Sequence, residues 1–193
     1  VTAVLEAAQK LENSPLETVE ISGRDGVTLT GHWFYNENAK RVIVAMHGWR
    51  SSWSQDFGII APFWQDNDCA VLYAEQRGQG ASGGDYMGFG LLERYDCLEW
   101  INWVNERTGG ELPVYLGGIS MGATTVLMTG GLELPENVRG IVADCAFTSL
   151  RAIWKHVVES NLHLPYGIYS SAANELCKKK IQEDADYSTA DAL

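Results

Sequence analysis

The chain has 193 residues, 46% hydrophobic and 20% charged, which excludes a disordered polymer and suits one domain with a sizeable core. Its 25 acidic against 14 basic residues leave a formal charge of −11, which argues against nucleic acid and against an anionic membrane surface as partners. No run is apolar over the roughly 18 residues that a membrane span needs, and four scattered cysteines without C-x-x-C or Cys/His spacing argue against a zinc site.

In chain order, Thr2 to Leu11 reads as a helix with Val4, Ala7, Ala8 and Leu11 on one face, ended by Asn13-Ser14-Pro15. Glu17 to Ser22 and Val27 to Tyr35 read as two strands joined by the turn Gly23-Arg24-Asp25-Gly26, a half-exposed antiparallel hairpin at a sheet edge. Val42 to Met46 is continuously apolar, as a strand covered on both faces must be, and His47-Gly48-Trp49-Arg50 breaks it. A helix is expected over Gln55 to Gln65, weakened by Gly58 and Pro62, then a buried strand over Ala70 to Ala74. A long helix over Leu91 to Arg107 should turn Leu91, Tyr95, Leu98, Ile101 and Val104 inward, and Thr108-Gly109-Gly110 should stop it. Val138 to Asp144 reads as a further buried strand. Residues 147–180 read as irregular, mostly helical cover, with Lys178, Lys179 and Lys180 as a solvated helix end. Strands alternating with helices after an antiparallel start imply an α/β fold: a mostly parallel, twisted sheet flanked by helices.

The stretch that carries chemistry is Val114 to Val126. An apolar strand ends in Gly118-Ile119-Ser120-Met121-Gly122, and a run of small residues suited to a helix follows. A serine at the apex of so tight a strand-to-helix turn is held in strained backbone geometry, so its neighbours must be nearly free of side chains. Gly118 and Gly122 meet that need, and Ser120 is left at a helix N-terminus, where N–H groups favour developing negative charge.

On the antiparallel start, His47-Gly48 after the third strand, Glu75-Gln76-Arg77-Gly78-Gln79-Gly80-Ala81-Ser82-Gly83 after the fourth, and the Ser120 turn, the chain resembles the α/β-hydrolase superfamily along nearly its whole length. More narrowly it is similar to bacterial single-domain serine hydrolases of the esterase and peptidase-like kind. Relatives usually carry Asp where Glu75 stands and His where Gln79 stands. The resemblance implies a Ser–His–acid hydrolase in which Ser120 attacks an acyl carbonyl. It also implies that the backbone N–H groups of Trp49 and Met121 would form the oxyanion hole, with their side chains lining the acyl or leaving-group pocket, and that His47, Gly48, Gly118 and Gly122 would support the turns. It implies no metal or other cofactor, and a small-molecule acyl substrate.

In such proteins the acid follows the seventh strand and the histidine the eighth, whereas only six strands can be counted here, the sixth ending near Asp144. The expectation is therefore that residues 1–193 are the N-terminal portion of one hydrolase domain. Strands seven and eight would lie in roughly 60–100 further residues, or a companion chain or strand exchange would complete the sheet. Otherwise the sixth strand is left as a bare apolar edge. Within the chain, Asp144 is the better-placed candidate acid. His32, His47, His156 and His163 are the histidines available as base, with His47 read as structural. Aromatics near the site (Trp49, Trp53, Tyr86, Phe89, Phe147, Trp154) suggest an apolar pocket.

Cys69, Cys97 and Cys145 lie in apolar surroundings and read as buried thiols of a reducing compartment, hence a cytoplasmic location. The chain opens on Val1 rather than methionine, so a removed signal or anchor stays open. Two functions compete. One is a carboxyl-ester hydrolase, with thioesterase, acyltransferase and peptidase variants of the same chemistry. The other is a binding module that keeps the turn but lacks the triad, or an inactive fragment of the enzyme.

Overall fold

A computed structural model describes residues 2–193, the side chain of Ile168 excepted. Fifteen elements follow one another, of which six are strands: α1 (Thr2–Glu12), β1 (Glu17–Ser22), β2 (Thr28–Phe34), β3 (Arg41–Met46), α2 (Trp53–Phe57), α3 (Ala61–Asp66), β4 (Cys69–Ala74), α4 (Glu93–Thr108), β5 (Val114–Ile119), α5 (Met121–Thr129), β6 (Val138–Asp144), α6 (Leu150–His156), a π-helical turn (Val157–Asn161), α7 (Tyr166–Lys180) and α8 (Thr189–Ala192). The strands form one sheet in the order β1-β2-β4-β3-β5-β6. β1–β2 and β2–β4 pair antiparallel and every other pair is parallel.

The continuous apolar runs become the sheet centre because each of their two faces meets helices. Along β3, Val42, Val44 and Met46 join Leu72, Trp100, Ile101, Val104 and Val126 on one face. Ile43 and Ala45 join Leu11, Trp53, Phe57, Val71 and Tyr73 on the other. Register brings Met46 opposite both Ala74 and Gly118. The carboxyl ends of β3, β4 and β5 therefore stop level with one another, the edge at which open parallel sheets carry their sites.

Several details differ from the sequence expectation. The helix over Gln55 to Gln65 is split into α2 and α3. A Cβ at Gly58 would come within 2.7 Å of the α1 backbone at Ala7 and Ala8, so the chain bends where α1 crosses it, and Pro62 sits in the first turn of α3. β2 is buried on both faces rather than half-exposed, because the Trp53 ring stacks on His32, centroids 4.1 Å apart. The long helix begins at Glu93 rather than Leu91, which is buried just before it; the inward stripe holds at Ile101 and Val104, but Cys97 and Trp100 take the places expected for Tyr95 and Leu98, which are half-buried. β6 is not a buried strand: it pairs only with β5, and Val142 is 70% exposed. Cys145, just beyond it, is exposed for the same reason, whereas Cys69, Cys97 and Cys177 are buried.

A charged strut holds the loop after β4. The Arg77 guanidinium donates from Nε and Nη2 to the two carboxylate oxygens of Asp96 on α4, at 2.6 Å each, and from Nη1 to Asp25 of the first hairpin at 2.8 Å. Arg77 and Asp96 are both almost wholly buried. Removing one partner of a buried pair leaves the other charge unsatisfied, which costs far more than the pair itself contributes. Asp96→Ala is expected to lower stability by about 3–5 kcal/mol, read as a drop in the urea midpoint at unchanged slope. A change under 1 kcal/mol would show that the strut carries no such strain.

Candidate active site

β5 and α5 meet at Ser120, whose backbone is left-handed, with φ 52° and ψ −111°. The Ser120 N–H donates to Asp144 O at 2.8 Å and its C=O accepts from the Thr124 N–H at 3.1 Å. Its side chain makes no capping bond to α5 and is partly exposed. The two glycines of the pattern have a steric task. A Cβ at Gly122 would lie 1.8 Å from Met46 O, and one at Gly118 would lie 2.3 Å from Gly122 O.

The loop after β3 comes to the same place. A Cβ on Gly48 would lie 3.4 Å from Ser120 Cβ. Asp56, in the first turn of α2, braces this loop by accepting from the Gly48 N–H at 2.7 Å and the Ser51 hydroxyl at 2.6 Å. Arg50, at φ 56°, donates its N–H to Gln79 Oε1 at 2.7 Å. Between these two pinned amides, the Trp49 N–H donates to no described residue. Met121 is the first residue of α5, where an N–H has no partner within the helix. The Met121 side chain is fully buried rather than lining an open pocket, because α5 runs straight into the core, whereas Trp49 is 41% exposed.

His47 is fixed on both nitrogens. Nδ1 bonds Gly48 O at 2.8 Å and Nε2 accepts from the Gln76 N–H at 3.1 Å, which sets the neutral tautomer with its proton on Nδ1. Burial holds its pKa below the ordinary histidine value, against the opposing pull of Gly48 O, Asp56 and Glu75. The Gln76 amide donates to His47 O and accepts from the Thr125 hydroxyl on α5, so one side chain ties the ends of β3 and β4 to the elbow helix.

The other histidines stay apart from Ser120. His32 Nε2 bonds Glu75 Oε1 at 2.6 Å. Burial works against that carboxylate, but the His32 bond and the Ala81 N–H outweigh it and hold its pKa below the usual range. His156 meets Ser160 on its own helical stretch, and His163 is exposed. Asp144 is exposed at the end of β6 with Cys145 Sγ 3.2 Å from its Oδ1. Among the described residues no histidine bonds Ser120 or Asp144. None of the described His, Cys, Asp and Glu side chains cluster as metal ligands.

Of the aromatics singled out, Trp53 belongs to the core, and Tyr86 and Trp154 line a separate cavity of about 300 Å³ beside α7. Trp49, Phe89 and Phe147 remain together. A cavity of about 340 Å³ runs behind the elbow strand, along Ile43, Phe57, Tyr115, Ile119 and Val142. A larger one of about 620 Å³ lies between Arg151 and the end of α7, away from Ser120. Asp56 and Thr124 belong to no motif, and Gln76 and Gln79 stand out in the sequence only as members of the loop after the fourth strand. The signal that existed for Asp56 was its position in the first turn of a helix capped by Ser52.

This glycine-framed serine in a parallel sheet defines the α/β-hydrolase class. Residues 37–185 match the serine aminopeptidase S33 family (Hydrolase_4), and the chain belongs to it. Among solved structures the chain is similar to the Pyrococcus furiosus esterase Pf2001, at 27% identity and TM-score 0.68 over 84% of this chain and 63% of that one. The fold is also that of GrgF from Penicillium sp. sh18, at 18% identity and TM-score 0.64 over 89% of this chain and 57% of that one. An uncharacterised Bacillus subtilis (strain 168) protein, YqkD, is 26% identical over 95 residues, 49% of this chain and 31% of its own length. The chain thus spans less than two thirds of these relatives. No helix among the described residues is long and apolar enough to cross a membrane.

Two outcomes follow from the geometry. Gly122→Ala forces Met46 O away and should leave the protein largely unfolded or lower its melting temperature by ten degrees or so, as circular dichroism would show; a shift of only a degree or two would mean the elbow yields. For His47 the pKa is depressed on folding, so unfolded chains bind the extra proton. Its contribution is complete above the unfolded value of about 6.5 and is lost as pH falls below that. The urea midpoint should fall from pH 7 to pH 5, and His47→Gln should flatten that slope.

Proposed function

We propose that the protein is a serine hydrolase that cleaves a carboxylic ester, or a related acyl bond, of a small molecule through an acyl-enzyme at Ser120. The observation that carries this reading is the left-handed Ser120, uncapped and partly exposed, with Gly48 packed against its Cβ. In the proposed cycle Ser120 Oγ attacks the acyl carbonyl and passes its proton to an imidazole. The oxyanion is held by the N–H groups of Trp49 and Met121. The leaving alcohol takes the proton back, and water, activated by the same base, releases the acid. Hydrogen bonds donated by the Gly48 and Arg50 N–H groups to Asp56 and Gln79 hold the Trp49 turn in place for that task.

The base and its acid are the parts that residues 1–193 do not assemble, since no described histidine reaches Ser120. We propose that they come from chain beyond residue 193 or from a companion chain that also covers β6. Residues 1–193 are then the N-terminal portion of one hydrolase domain, with 147–180 as cover over the site. Four unpaired cysteines suit a reducing compartment, and a cytoplasmic location belongs to the same proposal. That His47 is tied to backbone groups on both ring nitrogens and that no described histidine bonds Ser120 favours the rival reading, a binding module that retains the Ser120 turn without catalysis.

A fluorophosphonate probe separates the two. The full-length protein should be labelled at Ser120 and lose labelling in Ser120→Ala, whereas residues 1–193 alone should be labelled weakly, because a lone serine hydroxyl is a poor nucleophile at neutral pH. Full-length protein that resists the probe and hydrolyses no ester would leave the binding module; strong labelling of the bare 193 residues would overturn the placement of the base outside them.

A further inference from the structure

Three aromatic rings stand in a row beside the elbow, each on a different loop. The Trp49 and Phe89 centroids are 5.7 Å apart and those of Phe89 and Phe147 are 6.4 Å apart, each pair tilted by 54°. All three remain partly exposed, so folding leaves a run of aromatic surface uncovered, of the kind that marks a binding site.

Two of the rings are tied to the loop and helix that flank Ser120. Trp49 follows the Gly48 that packs on Ser120. Phe147 exchanges two hydrogen bonds of 3.0 Å with the Thr124 hydroxyl, its N–H donating and its C=O accepting, and the Thr124 N–H bonds Ser120 O. Phe89 is held by a different device. The Gly88 and Gly90 N–H groups, on either side of it, donate to Glu93 Oε1 and Oε2 at 2.7 Å each. Glu93 is 0% exposed, a costly position for a carboxylate. Phe89 itself has φ 52°, a left-handed conformation that is strained for a residue with a side chain and free for glycine. The loop thus bears two costs whose common result is a phenyl ring set between Trp49 and Phe147.

Resting on the hydrolase reading, we propose that Trp49, Phe89 and Phe147 form a clasp for the apolar acyl part of the substrate, and that Glu93 is the positioning residue that sets Phe89 in it. The substrate class is an ester of an uncharged, medium-chain or aromatic carboxylic acid. A peptide with a free ammonium terminus fits this clasp poorly, because Arg50 lies over the Trp49 ring, 4.5 Å from its centroid, and places a positive charge at the rim.

The test uses full-length Ser120→Ala protein, which cannot turn its ligand over, titrated calorimetrically with p-nitrophenyl hexanoate and p-nitrophenyl acetate. The hexanoate should bind more tightly. Adding Phe89→Ala should cut the hexanoate-over-acetate preference about tenfold, the effect of losing one or two methylene contacts in an apolar site. Phe89→Leu should restore most of it, and Glu93→Gln should reduce it in the same direction. A purely structural role for Glu93 would lower the melting temperature and leave the preference alone. Undetectable hexanoate binding, or an unchanged preference in Phe89→Ala, overturns the clasp; an unchanged preference in Glu93→Gln overturns the role of Glu93. If the preference behaves as stated but protein with Ser120 intact hydrolyses neither ester, the clasp stands and the hydrolase reading falls. Hydrolysis by both Ser120-intact proteins, with the same chain-length preference in Phe89→Ala, has the opposite meaning.

Discussion

The site depends on one backbone-to-backbone contact, the approach of α5 to the end of β3 at Gly122. No side chain fits there: a Cβ would sit 1.8 Å from Met46 O and 2.8 Å from His47 O. This closeness fixes how far Ser120 stands from the loop carrying Gly48 and Trp49. Catalysis by fixed dipoles requires donors held in place before charge develops, because a donor that must reorganise gives back what it gains. The glycine removes the spacer that would otherwise part the two loops.

Around that contact the polar groups act as ties rather than as reactants. His47 spends both ring nitrogens on backbone groups, Gln76 bridges β3 to α5, and Asp56 closes the turn above. Buried polar groups must be paired, and here the pairing links the ends of β3 and β4 to α5 and α2. His47 is therefore a strut, kept neutral by burial. The Arg77–Asp96–Asp25 cluster does the same one layer further out, fastening the loop after β4 to α4 and to the first hairpin.

How much of this was legible varied with what each feature depends on. The strands of the sheet centre were plain, since an unbroken run such as Val42 to Met46 can be buried only between two layers. The elbow was plain because its glycines are a steric necessity. The exposure of β6 is not legible, because apolar residues report what a strand can tolerate, while its burial is set by a neighbour the sequence does not name. The α4 stripe shifted for a similar reason: Asp96, paired with Arg77, and Glu93, bonded to two loop amides, are charged residues that face inward. Trp53 looked like a pocket residue and is a core residue, since its ring stacks on His32 of β2. Asp56 and Thr124 carry no motif. Asp56 braces the loop just before its own helix, and Thr124 bonds backbone groups of Phe147, distant in sequence; both pairings appear only once the chain has folded.

The segment after β6 ties the Ser120 backbone and one ring of the aromatic row together. The segment from Asp144 to Phe147 accepts the Ser120 N–H through Asp144 O at its start and locks onto Thr124 at its end. A displacement of this segment therefore moves the serine's backbone and the Phe147 ring together. Phe89 is set independently, by Glu93 at the head of α4. One wall of the aromatic row thus moves with the nucleophile and the other with a separate helix. Under the proposed clasp, a change in acyl preference with little change at Ser120 is therefore easier to reach through α4 than through α5, where any adjustment is also felt at Ser120.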